Sequence, residues 1–389
     1  MNDKMKNKVA SIIKVKGENE IKSTVTELHT HLMGMLSAKK FLLIVRSLTT
    51  KVYWPLDKGV DFSSQYINVD DLINSEEYLD LLRIEQGKTV EYSNLDKLYQ
   101  TRTQLLKYLV NLYQRQCEEK DKTLIESKIY SIYVNECLKE LINQGVEYVE
   151  ISYSIPRIIQ NIVISEENNR LITTKFLLST DRSRSLKDFK ESSKKIGALI
   201  ESGKVKGFDV MGQEIELSDS EKDYLDKSKK SQSFKRKIEV LVKELNNYQE
   251  SVLRIHSGET PVSFSNTEQI LTYLEEIEKE QNIFIPPPEV RIGHGVYFEK
   301  NENYLRLLKK FNIIVEINAS SNIALRNIET YNLLPYNYYL DNGIKISLST
   351  DGHGLYDTTI PREFKIAQLI SSSEEKIKLI DEEIVRRNR

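Results

Sequence analysis

Five histidines occur in 389 residues, and four of them stand in short segments that could converge on one cation. His29 and His31 lie in ELHTH, His256 in LRIHSGE and His294 in RIGHG; STDGHG adds Asp351 and, two residues later, His353. In HTH the imidazoles are two residues apart, and on a strand that spacing turns both to one face. Alone, His-x-His is a weak signal. Three imidazoles and a carboxylate, with a place left for water, suit a catalytic Zn2+, which makes His29, His31, His256 and Asp351 the candidate ligands. In HSGE a regular strand would turn Glu259 away from the face His256 uses. Gly258 lets the chain bend there, so Glu259 can return towards a metal-activated water, where a non-ligating carboxylate does general acid/base work. The bland alternative is an exposed loop carboxylate. His294, between two glycines, reads as a further ligand or as an electrostatic partner that orients the attacking water; a core histidine is the structural alternative.

Eight β-branched runs must position these residues: 23–31, 146–154, 171–179, 204–212, 251–259, 289–298, 312–320 and 343–352. Most are near-continuous apolar stretches, as expected of strands buried on both faces. Amphipathic segments such as 186–203 and 267–282 separate them, so the pattern predicts a parallel sheet with helical crossovers, and eight repeats predict a closed (β/α)8 TIM-type barrel. The polar residues gather at the C-terminal ends of the runs, the face on which barrels build active sites. The reading is one barrel domain over 1–389, with a mostly helical insertion at 32–145 and a charged insertion at 213–250. Both leave from the catalytic face and are candidate lids or recognition surfaces; a solvated helical decoration is the alternative for the second. PPP at 286–288 is a stop before the sixth strand.

Lys+Arg of 56 against Asp+Glu of 58 gives no global pull towards nucleic acid or an anionic membrane. Two cysteines, Cys117 and Cys137, make no disulfide framework, and a reducing cytoplasm is expected. The lysine-rich N-terminal stretch lacks the apolar region of a signal peptide, and no apolar run is long enough to span a bilayer. KGENEIKST lacks the second glycine of a phosphate-binding loop.

Taken together, ELHTHL, GFDVMGQE, HSGE, RIGHG, E-x-N-x-x-SN and STDG, in that order over about residues 23–370, resemble the adenosine deaminase family of metal-dependent hydrolases, a combination far more specific than its parts. The resemblance implies a (β/α)8 barrel, one zinc, and conversion of a 6-amino purine to a 6-oxo purine with release of ammonia. It implies His29, His31, His256 and Asp351 as zinc ligands, Glu259 as proton donor to purine N1, His294 as the group orienting the attacking water, and Gly212 as the glycine whose backbone touches the purine. Two positions depart from the pattern. Met33–Gly34 stands where nucleoside deaminases usually have Asp-Gly, the aspartate accepting the ribose 5′-hydroxyl. Without that carboxylate there is room for a 5′-phosphate, which Lys39, Lys40 and the lysines of 213–250 could meet. Gly352 replaces a second aspartate that contacts purine N7, leaving His353 as a substitute.

The expected function is therefore zinc-dependent deamination of an adenine nucleotide, (deoxy)AMP or ATP, in preference to adenosine. The branch it is similar to includes deaminases of bacterial antiviral systems. The expected partner is a small purine compound, with no direct nucleic-acid binding and a possible homo-oligomer formed through an apolar surface beside the short C-terminal tail. The rivals are another amidohydrolase-type enzyme with two metals and a carboxylated lysine late in the fourth strand, and a non-catalytic nucleotide-binding barrel.

Overall fold

All eight runs form strands: β1 (Val25–His31), β2 (Val146–Tyr153), β3 (Thr173–Asp181), β4 (Val205–Met211), β5 (Val252–Ser257), β6 (Glu289–His294), β7 (Ile314–Ile317) and β8 (Lys345–Leu348). The computed structural model describes residues 25–54, 65–85, 87–116, 121–214, 227–261, 264–281, 289–370, 381 and 383–387. Cys117, residues 1–24 with KGENEIKST, PPP at 286–288, and residues 55–64 and 215–226 of the two insertions lie outside these. The strands pair in parallel in sequence order. A parallel bridge between Thr30 and Asp351 joins the two ends of the sheet, giving the (β/α)8 barrel.

That seam is built from site residues. Asp351 N–H donates to the His29 carbonyl at 2.9 Å, and His31 N–H donates to the Asp351 carbonyl at 3.3 Å. The His29 N–H reaches Ser349 Oγ at 3.2 Å. Buried Glu27 accepts from His29 N at 3.1 Å and from the N–H and hydroxyl of Thr350 at 3.1 and 2.6 Å. Strand β1 is irregular between Glu27 and Thr30. Such a local kink re-aims side chains beside active sites: Leu28 packs with Tyr148 and Ile314, while its neighbour His29 meets Glu316.

The strands are not apolar on both faces. Outward residues such as Val149, Ile151, Val210, Ile255, Ile292 and Val315 join the helices in one apolar layer. The alternate, inward positions are charged. Arg254 Nε donates to Glu316 at 2.7 Å, and its Nη1 donates to Ser152 Oγ at 2.7 Å and lies 3.4 Å from Asp209. Arg291 reaches Glu289 and Glu150 at 2.7 Å and Glu316 at 3.2 Å. Tyr148 donates to Glu150 at 2.6 Å. Arg254, Glu150, Asp209 and Glu316 are completely buried, so each charge depends on its partners to offset a desolvation cost of several kcal/mol.

Below this network the C-terminal residues Ile384 and Val385 pack with Leu28, Tyr148 and Ile314. The tail thus covers apolar surface of its own barrel. Asp381 anchors it by accepting from the Thr26 hydroxyl at 2.9 Å.

The insertion after β1 carries the helix Ala38–Leu48, an antiparallel hairpin of Lys51–Trp54 with Gln65–Asn68, and two long helices, Tyr92–Gln116 and Lys122–Asn143. It is latched to the loops after β7 and β8. Val90 N–H donates to Ala324, Ile84 N–H donates to Leu355, and Arg326 reaches Thr89 and Glu91. Buried Arg102 donates to the carbonyls of Met33, Leu36, Leu82 and Gly354. In the second insertion the helix Lys227–Leu245 buries Phe234, Ile238, Leu241 and Val242. Among the described residues no helix is long and apolar enough to cross a membrane.

Two measurements test this account. Arg291→Met leaves Glu150 and Glu316 short of a cation and should cost about 3–5 kcal/mol in urea unfolding; a loss under about 1 kcal/mol would contradict the network's energetics. Burial raises the Asp381 carboxyl to about 8, against the lowering effect of the Thr26 hydrogen bonds. The folded state therefore holds a proton that the unfolded chain has already lost, and stability drains away as pH rises from the ordinary aspartate range to about 8. Asp381→Asn should melt higher than wild type at pH 8, with the gap narrowing at pH 5.

Candidate active site and metal centre

The strand ends bring four histidines into one buried group. Ring centroids lie 5.5 Å apart for His29–His31, 4.6 Å for His29–His256, 5.1 Å for His29–His294, and 5.2 Å for both His31–His256 and His256–His294. Asp351 Oδ1 is 3.4 Å from His31 Nε2 and 3.7 Å from His29 Nε2. Among the described residues three overlapping sets have donor atoms close enough for one ion: His29–His256–His294, His29–His31–Asp351 and His31–Asp209–His256.

The chemistry of this group fits a cation. Among the described residues His29 Nε2 and both ring nitrogens of His294 are buried without a hydrogen-bond partner, a state that costs about 1–3 kcal/mol per group unless something fills it. Burial holds His31 and His294 down at about 3, against the pull of Asp209 and Asp351 respectively, and His29 well below its usual range, helped by Arg254. These rings are neutral at physiological pH and keep lone pairs for a metal. His256 differs: burial opposes its charge, but Asp209, 3.1 Å from Nε2, outweighs it and raises the pKa. Beneath the group, three fully buried carboxylates, Glu150, Asp209 and Glu316, face two guanidiniums, Arg254 and Arg291. A divalent ion would offset the excess negative charge.

Local backbone geometry aims the side chains. His294 and Asp351 have φ of 70° and 65°, a region costly for side-chain-bearing residues that persists where surrounding structure enforces it. Gly258 has φ of 69°, and a Cβ there would lie 2.4 Å from the Tyr297 carbonyl oxygen, so only glycine permits the turn that returns Glu259 to the site. A buried carboxylate fixes that turn: Glu214 accepts the N–H groups of Gly258, Glu259 and Thr260 at 2.9, 2.8 and 3.3 Å. Arg182 braces it, donating to the His256 carbonyl at 2.5 Å with Nη1 3.9 Å from Glu214. Glu259 is buried, 3.8 Å from His294 Nε2. Burial raises its carboxyl to about 8, opposed by His256 and assisted by Asp351 and Glu214.

The remaining sequence candidates divide. Gly212, at the end of β4, has φ of 100° and lies against the Asp181 carboxylate. Met33 is buried in the turn after His31. A Cβ on Gly352 would come 3.1 Å from Gly34 Cα, so the loops after β8 and β1 touch backbone to backbone and a side chain at 352 would be crowded. Lys39 is exposed on its helix. Lys40 and His353 differ from the contacts expected of them: both close on Glu140, at 2.6 and 3.2 Å, because that buried carboxylate needs cationic or donor neighbours. Sequence reasoning missed Asp209, Glu214, Glu316, Arg182 and Arg254. The available signal was period two: Asp209 lies two residues before Met211 in GFDVMG, Arg254 two before His256, and Glu316 begins E-x-N.

Residues 288–386 match the adenosine deaminase family model. Adenosine deaminase of Plasmodium gallinaceum is 32% identical over 113 residues, 29% of this chain and 28% of that protein; the match therefore spans less than a third of the curated relative's length. Over this C-terminal stretch the chain is similar to the adenosine deaminases. Across the whole barrel the relationship is one of fold. N6-methyl-AMP deaminase from Arabidopsis thaliana aligns with TM-score 0.59 over 94% of this chain and 96% of its own, at 19% identity. Arabidopsis ADAL complexed with IMP aligns with TM-score 0.58 over 94% and 98%, at 17% identity. The family-model match covers RIGHG, EINASSN and STDGHG. ELHTH, DVMGQE and HSGE lie outside it, yet in the folded chain they reach the same centre.

His29 Nδ1 lies 3.0 Å from Glu316 Oε2, the arrangement by which a carboxylate orients a metal-binding imidazole. Glu316→Gln should weaken metal binding by about 10–100-fold in chelator competition, whereas Glu239→Gln, whose partner is Lys243 on its own helix, should not. Equal affinities for the two variants would remove Glu316 from this role.

Proposed function

We propose that the chain is a Zn2+-dependent hydrolase that converts the 6-amino group of an adenine nucleotide to a 6-oxo group, releasing ammonia. The observation that carries the reading is Glu259: a carboxyl buried beside four clustered imidazoles and Asp351, with its pKa raised to about 8. His29, His31, His256 and Asp351 would hold the ion. Zinc supplies Lewis acidity and activates a water at neutral pH.

The chain's own groups do the rest. Glu259 stays protonated at neutral pH and can donate to the purine ring nitrogen, drawing electrons from the carbon that water attacks. The attacking water gives up two protons: one restores the Glu259 carboxyl and the other goes to the amino group, so that the C–N bond breaks, ammonia leaves and the C–O bond remains. Neutral His294, beside Glu259, accepts a hydrogen bond from the incoming water and orients it. The Gly212 backbone offers a flat surface to the ring, and Glu214 with Arg182 keeps Glu259 aimed. The insertion latched over the mouth excludes bulk water, which strengthens every charge interaction inside.

A nucleotide is favoured over a nucleoside because Met33 presents no carboxylate where a 5′-phosphate would sit, and Lys39 remains exposed on the helix that follows. The names of the Arabidopsis structures, one a deaminase of a methylated AMP and one an IMP complex, agree with this choice. Alteration of a nucleotide pool in the cytoplasm, as in antiviral defence, is the cellular role we attach to the activity. The two-metal amidohydrolase reading has less support, since β4 ends in Val210–Met211 and carries no lysine there.

Ammonia release from adenosine, AMP, dAMP and ATP, with metal content measured alongside, tests the reading. The expected result is one zinc per chain and preference for a phosphorylated substrate; turnover of adenosine alone would defeat the phosphate argument. Glu259→Gln should keep its metal and lose about 10²–10⁴-fold in kcat.

A further inference from the structure

Asn318, the asparagine of E-x-N, is the residue immediately beyond β7. It is fully buried. Among the described residues neither its side-chain oxygen nor its nitrogen has a hydrogen-bond partner. It caps the start of the short helix Ala319–Ala324, yet its side chain makes no capping bond.

Its direction follows from strand alternation. Val315 and Ile317 belong to the outer apolar layer, while Ile314 packs inside the barrel and Glu316 reaches His29 and Arg254. Asn318 shares the parity of Glu316, two residues and about 6.6 Å further towards the catalytic end. Its neighbours follow from register: Glu316 pairs with Gly293 on β6 and with Ser347 on β8. Asn318 therefore lies between the strand ends that carry His294 and Asp351, the two site residues held at positive φ. An amide closed to solvent, facing the reaction centre with both its polar atoms unpaired, lacks a ligand-borne partner.

We propose that Asn318 contacts the substrate, its Oδ1 accepting a hydrogen bond from the exocyclic amino group of the aminopurine. This rests on the deamination reading above. The reacting edge of such a base offers a ring nitrogen, which accepts, and an amino group, which donates. Glu259, held protonated, suits the ring nitrogen. The amino group needs an acceptor that stays neutral and does not take its proton as ammonia leaves, and a carboxamide oxygen meets that requirement. Until substrate arrives, the buried amide is a cost to the fold.

The test is Asn318→Leu, close in shape and without polar atoms, assayed on AMP and on 6-chloropurine ribonucleotide (or on adenosine and 6-chloropurine riboside, should the nucleoside be preferred). The chloro compound has no amino hydrogens. Wild-type kcat/KM on the amino substrate should fall about tenfold, the size of one lost hydrogen bond, while that on the chloro substrate stays nearly unchanged. The variant should melt at or above the wild-type temperature with unchanged metal content. Equal losses on both substrates, or a lowered melting temperature that accounts for the loss, would overturn the contact. No loss on either substrate would do the same. Absence of wild-type turnover on every substrate would overturn the deamination reading and this inference together.

Discussion

The closure of the barrel between its first and last strands is the constraint on which the site depends. The seam consists of the Thr30–Asp351 bridge, the reciprocal backbone bonds of Asp351 with His29 and His31, and the Glu27 carboxylate spanning to Thr350. The same residues supply imidazoles and a carboxylate to the centre. Closing the sheet and assembling the candidate metal site are thus one event, and a chain that failed to pair β8 with β1 would lose both.

Beneath the seam, the barrel interior stores charge where most cores store hydrocarbon. Arg254 and Arg291 stand among Glu150, Asp209 and Glu316 without access to solvent. A network of this kind tolerates no partial disassembly, because each removed partner strands a charge in low dielectric. It also fixes geometry: Glu316 holds His29, and Asp209 holds His256. The helices contribute ordinary apolar packing on the outside, so the stability of the shell and the rigidity of the centre arise from different physics on opposite faces of the same strands.

A second layer of support fixes the loops at the catalytic end of the barrel. Arg102 gathers carbonyls from the loops after β1 and β8, and Glu214 gathers three consecutive N–H groups of the loop that presents Glu259. Both use one buried charge to fix the path of a loop, so the groups those loops carry are held without the imprecision loops usually bring.

Much was legible from local pattern. The eight strands, their order and the convergence of His29, His31, His256, His294 and Asp351 follow from β-branched runs that end in polar residues, because strand period and barrel topology are set by short-range sequence. The departures at Met33 and Gly352 were equally visible. The folded chain decided what depends on residues far apart in sequence. Lys40 and His353 close on Glu140, about a hundred and two hundred positions away respectively, and no local rule anticipates that pairing. The inward charges of β2, β4, β5, β6 and β7 find their partners only where five strands place them side by side. Local sequence determines which way a side chain turns; only closure of the barrel determines what it meets there, since the energy of a buried charge lies in its partners.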